Sequence, residues 1–110
     1  MTRKSCLERA DQCVNGNREQ DYGSPEDNFT TIANMWTEYL VSKILKPVKS
    51  KDVRLDVLNY FIIEPKDVAM MMALLKIARI ATGTGTDDSF VDLAGYAACG
   101  CEISTEGDKE

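Results

Sequence analysis

The sequence contains no histidine among its 110 residues, and this absence excludes several kinds of chemistry at once. Catalytic systems that pair a serine or cysteine with histidine need the imidazole as a base, and many zinc centres need it as a ligand. The chain also lacks a glycine-rich phosphate loop of the P-loop type. Metal-assisted hydrolysis and plain ligand binding are the functions that remain.

Long apolar runs and an excess of basic residues are missing as well. No segment has the length and composition of a membrane span or a secretory signal, so we expect a cytoplasmic protein with no membrane partner. Eighteen acidic and thirteen basic residues give a net charge of −5. This balance argues against a nucleic-acid partner, whereas a small anionic ligand is compatible with it where cations cluster locally.

The four cysteines are unusually spaced. In a protein without a signal peptide we expect thiols rather than disulfides. A four-thiolate zinc site is the alternative, although the Cys-x6-Cys and Cys-x-Cys spacings are not those of common zinc knuckles. Buried apolar cysteine is the simpler interpretation. The four residues are Cys6, Cys13, Cys99 and Cys101.

Apolar residues make up 44% of the sequence, which is enough for one small folded domain over residues 1–110. Apolar spacing and helix-start signals predict an all-α bundle of about four helices. Ser24-Pro25-Glu26 is a strong start signal, with a hydroxyl N-cap followed by proline. The predicted helices cover residues 5–15, 25–45, 66–81 and 86–103.

Two segments fall outside these helices. Residues 46–64 form a peripheral insertion, whose apolar end after Val57 is compatible with a helix, a strand or a flap. Residues 103–110 form a frayed acidic tail. Residues 66–81 are apolar almost all the way round, which predicts a buried helix.

The candidate site lies in the last two helices. Asp88 and Asp92 are four residues apart and therefore share one helical face, with Gly95 leaving space beside them. Lys76 and Arg79 are the only charges in the preceding helix after Asp67. The acids can hold a hard cation such as Mg²⁺ while the cations bind phosphate, or the acids and cations can simply pair across the helical hairpin. The spacing does not decide between these two interpretations.

Several other residues are weaker candidates. Glu26 and Asp67 stand in first turns, where stabilisation by the helix dipole explains them and a metal role is the minority interpretation. Trp36 can stack on a nucleotide base, although its helical spacing is more typical of a core residue. Tyr22 precedes a helix start and can lie near a nucleotide or form part of a turn. Tyr96 follows the acids on their own stripe.

The ordered motifs of residues 18–102 resemble a family of small, mostly phage-encoded proteins of uncharacterised function. The 46–64 segment stands outside this resemblance. The motifs are Asp21-Tyr22-Gly23-Ser24-Pro25-Glu26-Asp27-Asn28-Phe29, Ile32-Ala33-x-x-Trp36, Asp67-Val68-Ala69, Lys76-x-Ala78-Arg79 and Asp87-Asp88-x-x-x-Asp92-x-x-Gly95-Tyr96.

That family in turn resembles the MazG-like all-α nucleoside triphosphate pyrophosphohydrolases, in which helix-borne carboxylates hold Mg²⁺. The later acid pair of those enzymes corresponds to Asp88 and Asp92. Their earlier Glu-x-x-Glu pair is absent here, and Glu26 and Asn28 are the nearest substitutes. The resemblance implies a MazG-like bundle.

The resemblance also implies a function, namely Mg²⁺-dependent hydrolysis of a nucleoside triphosphate to the monophosphate and pyrophosphate. Lys76 and Arg79 would bind phosphate, while Tyr22, Asn28, Trp36 and Tyr96 would contact the base or sugar. The alternatives are a non-catalytic nucleotide binder that sequesters a nucleotide signal, and a helical interaction protein. The large apolar fraction for so short a chain further predicts a homo-oligomer.

Overall fold

A computed structural model describes residues 1–16, 25–83 and 86–105, except for the side chains of Pro25 and Glu26. Within these ranges the chain forms five α-helices and no strand, which confirms the all-α prediction. The helices are α1 (Arg3–Asn15), α2 (Pro25–Leu45), α3 (Lys51–Tyr60), α4 (Pro65–Ala81) and α5 (Thr86–Ser104). The described residues include no helix with the length and apolarity that a membrane span requires.

The number of helices differs from the four predicted because the 46–64 segment contains α3. Ser50 caps this helix by accepting a hydrogen bond from the Val53 amide, 3.4 Å away. All its residues except Val57 are exposed. A helix that buries so little has no clear apolar face, which is why its sequence pattern was ambiguous.

The first helix begins two residues earlier than predicted. Its N-cap is Thr2, whose hydroxyl accepts from the Ser5 amide at 3.0 Å. In return the Ser5 hydroxyl accepts from the Thr2 amide, also at 3.0 Å. Ser5 is therefore the third helical residue of a capping box, which explains why the helix starts before the predicted boundary at residue 5.

The centre of the fold is an antiparallel hairpin of α4 and α5. Lys76 contacts Asp92 near one end of the hairpin, while Gly100 approaches Ala69 near the other. A Cβ added to Gly100 would lie 3.2 Å from the Ala69 Cβ, so glycine permits this close approach of the two helices. Helix α1 packs against α5, and α2 packs mainly against α4.

The core is formed where α2, α4 and α5 meet. Its fully buried members are small or apolar, and partly buried side chains such as Trp36 and Tyr96 pack around them. Because each of these helices contributes only one face to the cluster, the core is small. The buried cluster consists of Phe29, Ala33, Val68, Ala69 and Cys99.

The prediction that α4 is buried on all sides is wrong. Val68, Ala69 and Ala73 are buried, but the opposite face of the helix is exposed to solvent. Exposed side chains there include Met70 at 44%, Leu74 at 63% and Ile77 at 47%. The described helices cover only one face of α4.

Candidate functional site

The first element of the candidate site is an ion pair between α4 and α5. The Lys76 Nζ lies 2.9 Å from the Asp92 Oδ2, and the two side chains are 13% and 38% exposed. Lys76 shares its helical face with the buried residues Ala69 and Ala73, so its methylene chain starts in the interior. A largely buried ammonium group needs a compensating charge, and Asp92 supplies it.

The second element is an ion pair one helical turn earlier on α5. The Arg9 Nη2 of α1 donates to the Asp88 Oδ1 at 2.7 Å. Both side chains are well exposed, at 46% for Arg9 and 77% for Asp88. The Lys76–Asp92 pair agrees with the second interpretation of the spacing, in which acids and cations pair across the hairpin. The partner of Asp88 was not predicted, because Arg9 belongs to α1.

A small cavity of about 40 Å³ borders Asp92. It lies between α1, α2 and α5 and is lined by apolar side chains together with Tyr96 and two cysteines, Cys13 and Cys99. The Tyr96 ring packs against Phe29 with a centroid distance of 6.3 Å. Pockets that hold a drug-sized ligand measure about 300–1,000 Å³, so a nucleotide cannot enter this cavity and would have to lie outside it.

Asp67 is placed at the opposite end of the hairpin from the two acids. Its Oδ2 accepts a hydrogen bond from the Glu64 amide at 2.9 Å, as part of a capping box at the start of α4. Because α5 runs antiparallel to α4, the first turn of α4 lies beside the end of α5 rather than beside Asp88. In the described ranges, no group of three or more Cys, Asp or Glu residues is arranged to hold a metal ion.

The remaining predicted residues that the structure describes lie on α2 and α4. Arg79 follows Lys76 on α4 and is exposed, while Asn28 is half-buried on α2. Trp36 packs against the core cluster. Tyr22 and the Glu26 side chain lie outside the described residues.

A groove with a volume of about 830 Å³ lies between α2 and α3. None of the predicted site residues lines it. Arg54 lines this groove and donates to the Leu45 and Val48 carbonyls at 3.0 Å, so it satisfies carbonyl groups at the end of α2 and just after it. The groove therefore differs in place and chemistry from the ion pairs on the hairpin.

Sequence reasoning missed Arg9 as a partner of Asp88. The two residues are separated by 79 positions, and no local pattern relates them. The contribution of Cys13 and Phe29 to the cavity was missed for the same reason. Only the packing of α1 and α2 against the hairpin brings these groups together.

These observations define an all-helical protein in which acids of the central hairpin are paired with cations. Residues 5–104 match the model of the family described as domain of unknown function (DUF6378), and the chain belongs to this family. The match confirms the predicted resemblance to a family of unknown function.

Two curated relatives are phage proteins. The gene 55 protein of Mycobacterium phage D29 is 39% identical over 97 residues, which cover 87% of this chain and 51% of the relative. The gene 55 protein of Mycobacterium phage L5 is 38% identical over 93 residues, covering 84% and 48%. The chain thus spans about half the length of the curated relatives it matches. No solved structure matches it.

Proposed function

We propose that this protein has a MazG-like fold, binds a nucleotide together with Mg²⁺ at the Lys76–Asp92 end of the hairpin, and hydrolyses a nucleoside triphosphate to the monophosphate and pyrophosphate. The observation that carries the proposal is a largely buried lysine paired with a half-exposed carboxylate, one turn from a second carboxylate. An ion pair of this kind can also serve a purely structural role, so the experiment measures ligand binding directly.

The donor set fits Mg²⁺. This ion prefers oxygen ligands and is usually held by one or two carboxylates together with waters and phosphate oxygens of the substrate. Asp88 and Asp92 would hold it, and Glu26 would be a further ligand from the start of α2. Asp67 is not part of this proposal because its carboxylate caps α4 at the other end of the hairpin. Bound Mg²⁺ would neutralise phosphate charge and polarise water.

The ion pairs allow phosphate to bind by an exchange of partners, so that neither the cation nor the carboxylate is left without an opposite charge. A phosphate oxygen can replace Asp92 as the partner of Lys76, and the Asp92 oxygens then become available to a cation. Arg9 would make the corresponding exchange beside Asp88. Arg79 would add a planar donor group from the next turn of α4.

The base and sugar would lie outside the small cavity. Tyr96 is the predicted nucleotide-contacting residue nearest to the ion pair along the chain, because it follows Asp92 by one turn and lines the same cavity. Asn28 would approach from α2. The core position of Trp36 makes stacking on a base the weaker part of the proposal.

A non-catalytic nucleotide binder is the second candidate. Two observations favour it, namely the engagement of both Asp88 and Asp92 by cations and the absence, among the described residues, of a metal-ligating group of three. Such a protein would bind the phosphates through Lys76 and Arg79 and sequester the nucleotide without hydrolysis.

The test incubates the protein with canonical and modified nucleotides, with and without Mg²⁺, and measures pyrophosphate release and the shift in Tm together. Asp92→Asn and Lys76→Met remove the two halves of the ion pair. Asp56→Asn is the matched control because it removes one carboxylate from exposed α3. Circular dichroism verifies that each variant is folded.

The enzyme is supported by pyrophosphate release that Asp92→Asn abolishes and Asp56→Asn preserves. A Tm shift that depends on Lys76, without any release of pyrophosphate, supports the binder instead. Neither proposal survives if no nucleotide changes the Tm or is hydrolysed.

A further inference from the structure

The groove between α2 and α3 is bounded at both ends by contacts between its two walls. At one end, Arg54 of α3 donates to the Leu45 carbonyl of α2 at 3.0 Å. At the other end, Thr37 of α2 accepts from the Ile63 amide, just after α3, at 2.9 Å. Leu45 follows Thr37 by eight positions, so the two contacts are about 12 Å apart along α2. Between them α3 buries no residue, and the groove of about 830 Å³ occupies the space.

The middle of the groove is apolar. Val41 and Leu45 of α2 line it and are only 9% and 7% exposed, so they form its floor. Leu58 of α3 and Ile62 also line it, yet they remain 54% and 60% exposed. Apolar side chains that are left this exposed gain free energy when an apolar ligand covers them. The volume also lies within the range of about 300–1,000 Å³ that small-molecule pockets occupy.

One end of the groove is cationic. Lys46 and Arg54 line it there, and residues 43–54 contain five basic residues and one acidic residue in a chain whose net charge is −5. Both hydrogen bonds of Arg54 come from Nη1, and in the part of the chain that the structure describes its Nε and Nη2 donate to no protein group. The acid of the lining, Glu38, follows Thr37 and so lies at the opposite end. A guanidinium held in place with donors to spare is suited to a planar carboxylate.

We infer that the α2–α3 groove binds a small amphipathic carboxylate. Its apolar body lies between Val41 and Leu58, and its carboxylate accepts hydrogen bonds from Arg54 and Lys46. Because the walls meet at both ends, a short ligand fits the groove better than a peptide that continues past them. This site shares no residue with the proposed nucleotide site, so it goes beyond the proposed function and does not depend on it.

Isothermal titration calorimetry of the full chain with decanoate tests the inference. Decanoate joins a carboxylate to an apolar chain, and decyltrimethylammonium carries a similar chain with the opposite charge. We expect one decanoate to bind per chain, and the ammonium compound to bind at least about 10-fold more weakly because it cannot accept hydrogen bonds from the cationic end.

Two matched pairs of variants locate the binding. Leu58→Glu should abolish it, whereas Leu55→Glu should not, since Leu55 is 55% exposed on the same helix but does not line the groove. Lys46→Met should raise the Kd by about threefold or more, and Lys49→Met should leave it unchanged because Lys49 is outside the lining. Arg54→Met should raise the Kd by at least about 10-fold, and Lys46→Met provides the test of charge if that variant does not fold.

Several results would overturn the inference. Decanoate that does not bind, or that binds no more tightly than decyltrimethylammonium, would show that the groove does not recognise an amphipathic anion. Equal losses in Leu58→Glu and Leu55→Glu would place the binding elsewhere. Self-association that Leu58→Glu disrupts, in a protein that binds no decanoate, would assign the groove to a second copy of the chain.

Discussion

The α4–α5 hairpin and the α2–α3 region are both pairs of helices, but they are held together in different ways. In the hairpin, buried residues such as Val68 and Val91 and the close approach at Gly100 bring the helices into direct contact. Helix α3 has no buried residue, and its Arg54 donates a hydrogen bond to the Leu45 carbonyl at the end of α2. Burial therefore concentrates stability in the hairpin, where the candidate site lies, and leaves α3 at the periphery.

The same substitution in the two regions gives the largest expected contrast. Val68 of α4 is 0% exposed and Val53 of α3 is 46% exposed. Val68→Ala should lower the free energy of unfolding by about 2 kcal/mol because it leaves a cavity in the core. Val53→Ala should change it by less than about 0.5 kcal/mol. Urea denaturation of both variants measures the difference, and equal effects would refute the contrast.

Loss of the buried ion pair should have the next largest effect. Asp92→Asn leaves the Lys76 ammonium, only 13% exposed, without its charged partner. We expect a loss of about 1–2 kcal/mol in unfolding free energy, below the range for fully buried pairs because Asp92 is half-exposed. The double variant Lys76→Met with Asp92→Asn should recover part of this loss. Denaturation of the wild type, Lys76→Met, Asp92→Asn and the double variant gives a double-mutant cycle, which measures the coupling between the two side chains.

The hydrogen bonds that connect α2 to the residues after α3 should contribute less. The Thr37 hydroxyl accepts from the Ile63 amide at 2.9 Å. Thr37→Val keeps the side-chain shape but leaves this part-buried amide without its partner, at a cost of about 1 kcal/mol. Hydrogen exchange should show faster exchange at Ile63 and little change in the hairpin. Faster exchange throughout the protein would mean that the two regions unfold as one unit.

The smallest effect is expected from the exposed ion pair on the hairpin itself. Asp88→Asn removes the charge that Arg9 contacts at 2.7 Å, yet both side chains are well exposed. Exposed pairs contribute about 0–1 kcal/mol, so we expect a change below about 0.5 kcal/mol, smaller still at high salt. Thermal denaturation at two salt concentrations tests this. If Asp88→Asn lowered the free energy of unfolding as much as Asp92→Asn does, the contribution of an ion pair here would not depend on its burial.

Helix-start chemistry and apolar spacing were sufficient to predict most of the secondary structure. Proline at the first helical position predicted the starts of α2 and α4 to within a residue. The sequence also indicated the phage-encoded family and the possibility of ion pairs between the hairpin acids and cations. These features depend on neighbours within a few residues, which a single sequence displays directly.

Tertiary structure alone decided which residues meet. It paired Asp88 with Arg9 of α1, placed Asp67 at the other end of the hairpin, and exposed one face of α4. The sequence determined that α4 is apolar all round, but apolarity does not say which face another helix covers. That choice depends on how many helices are available to pack against it, because burial is a property of the whole assembly of elements and not of one helix.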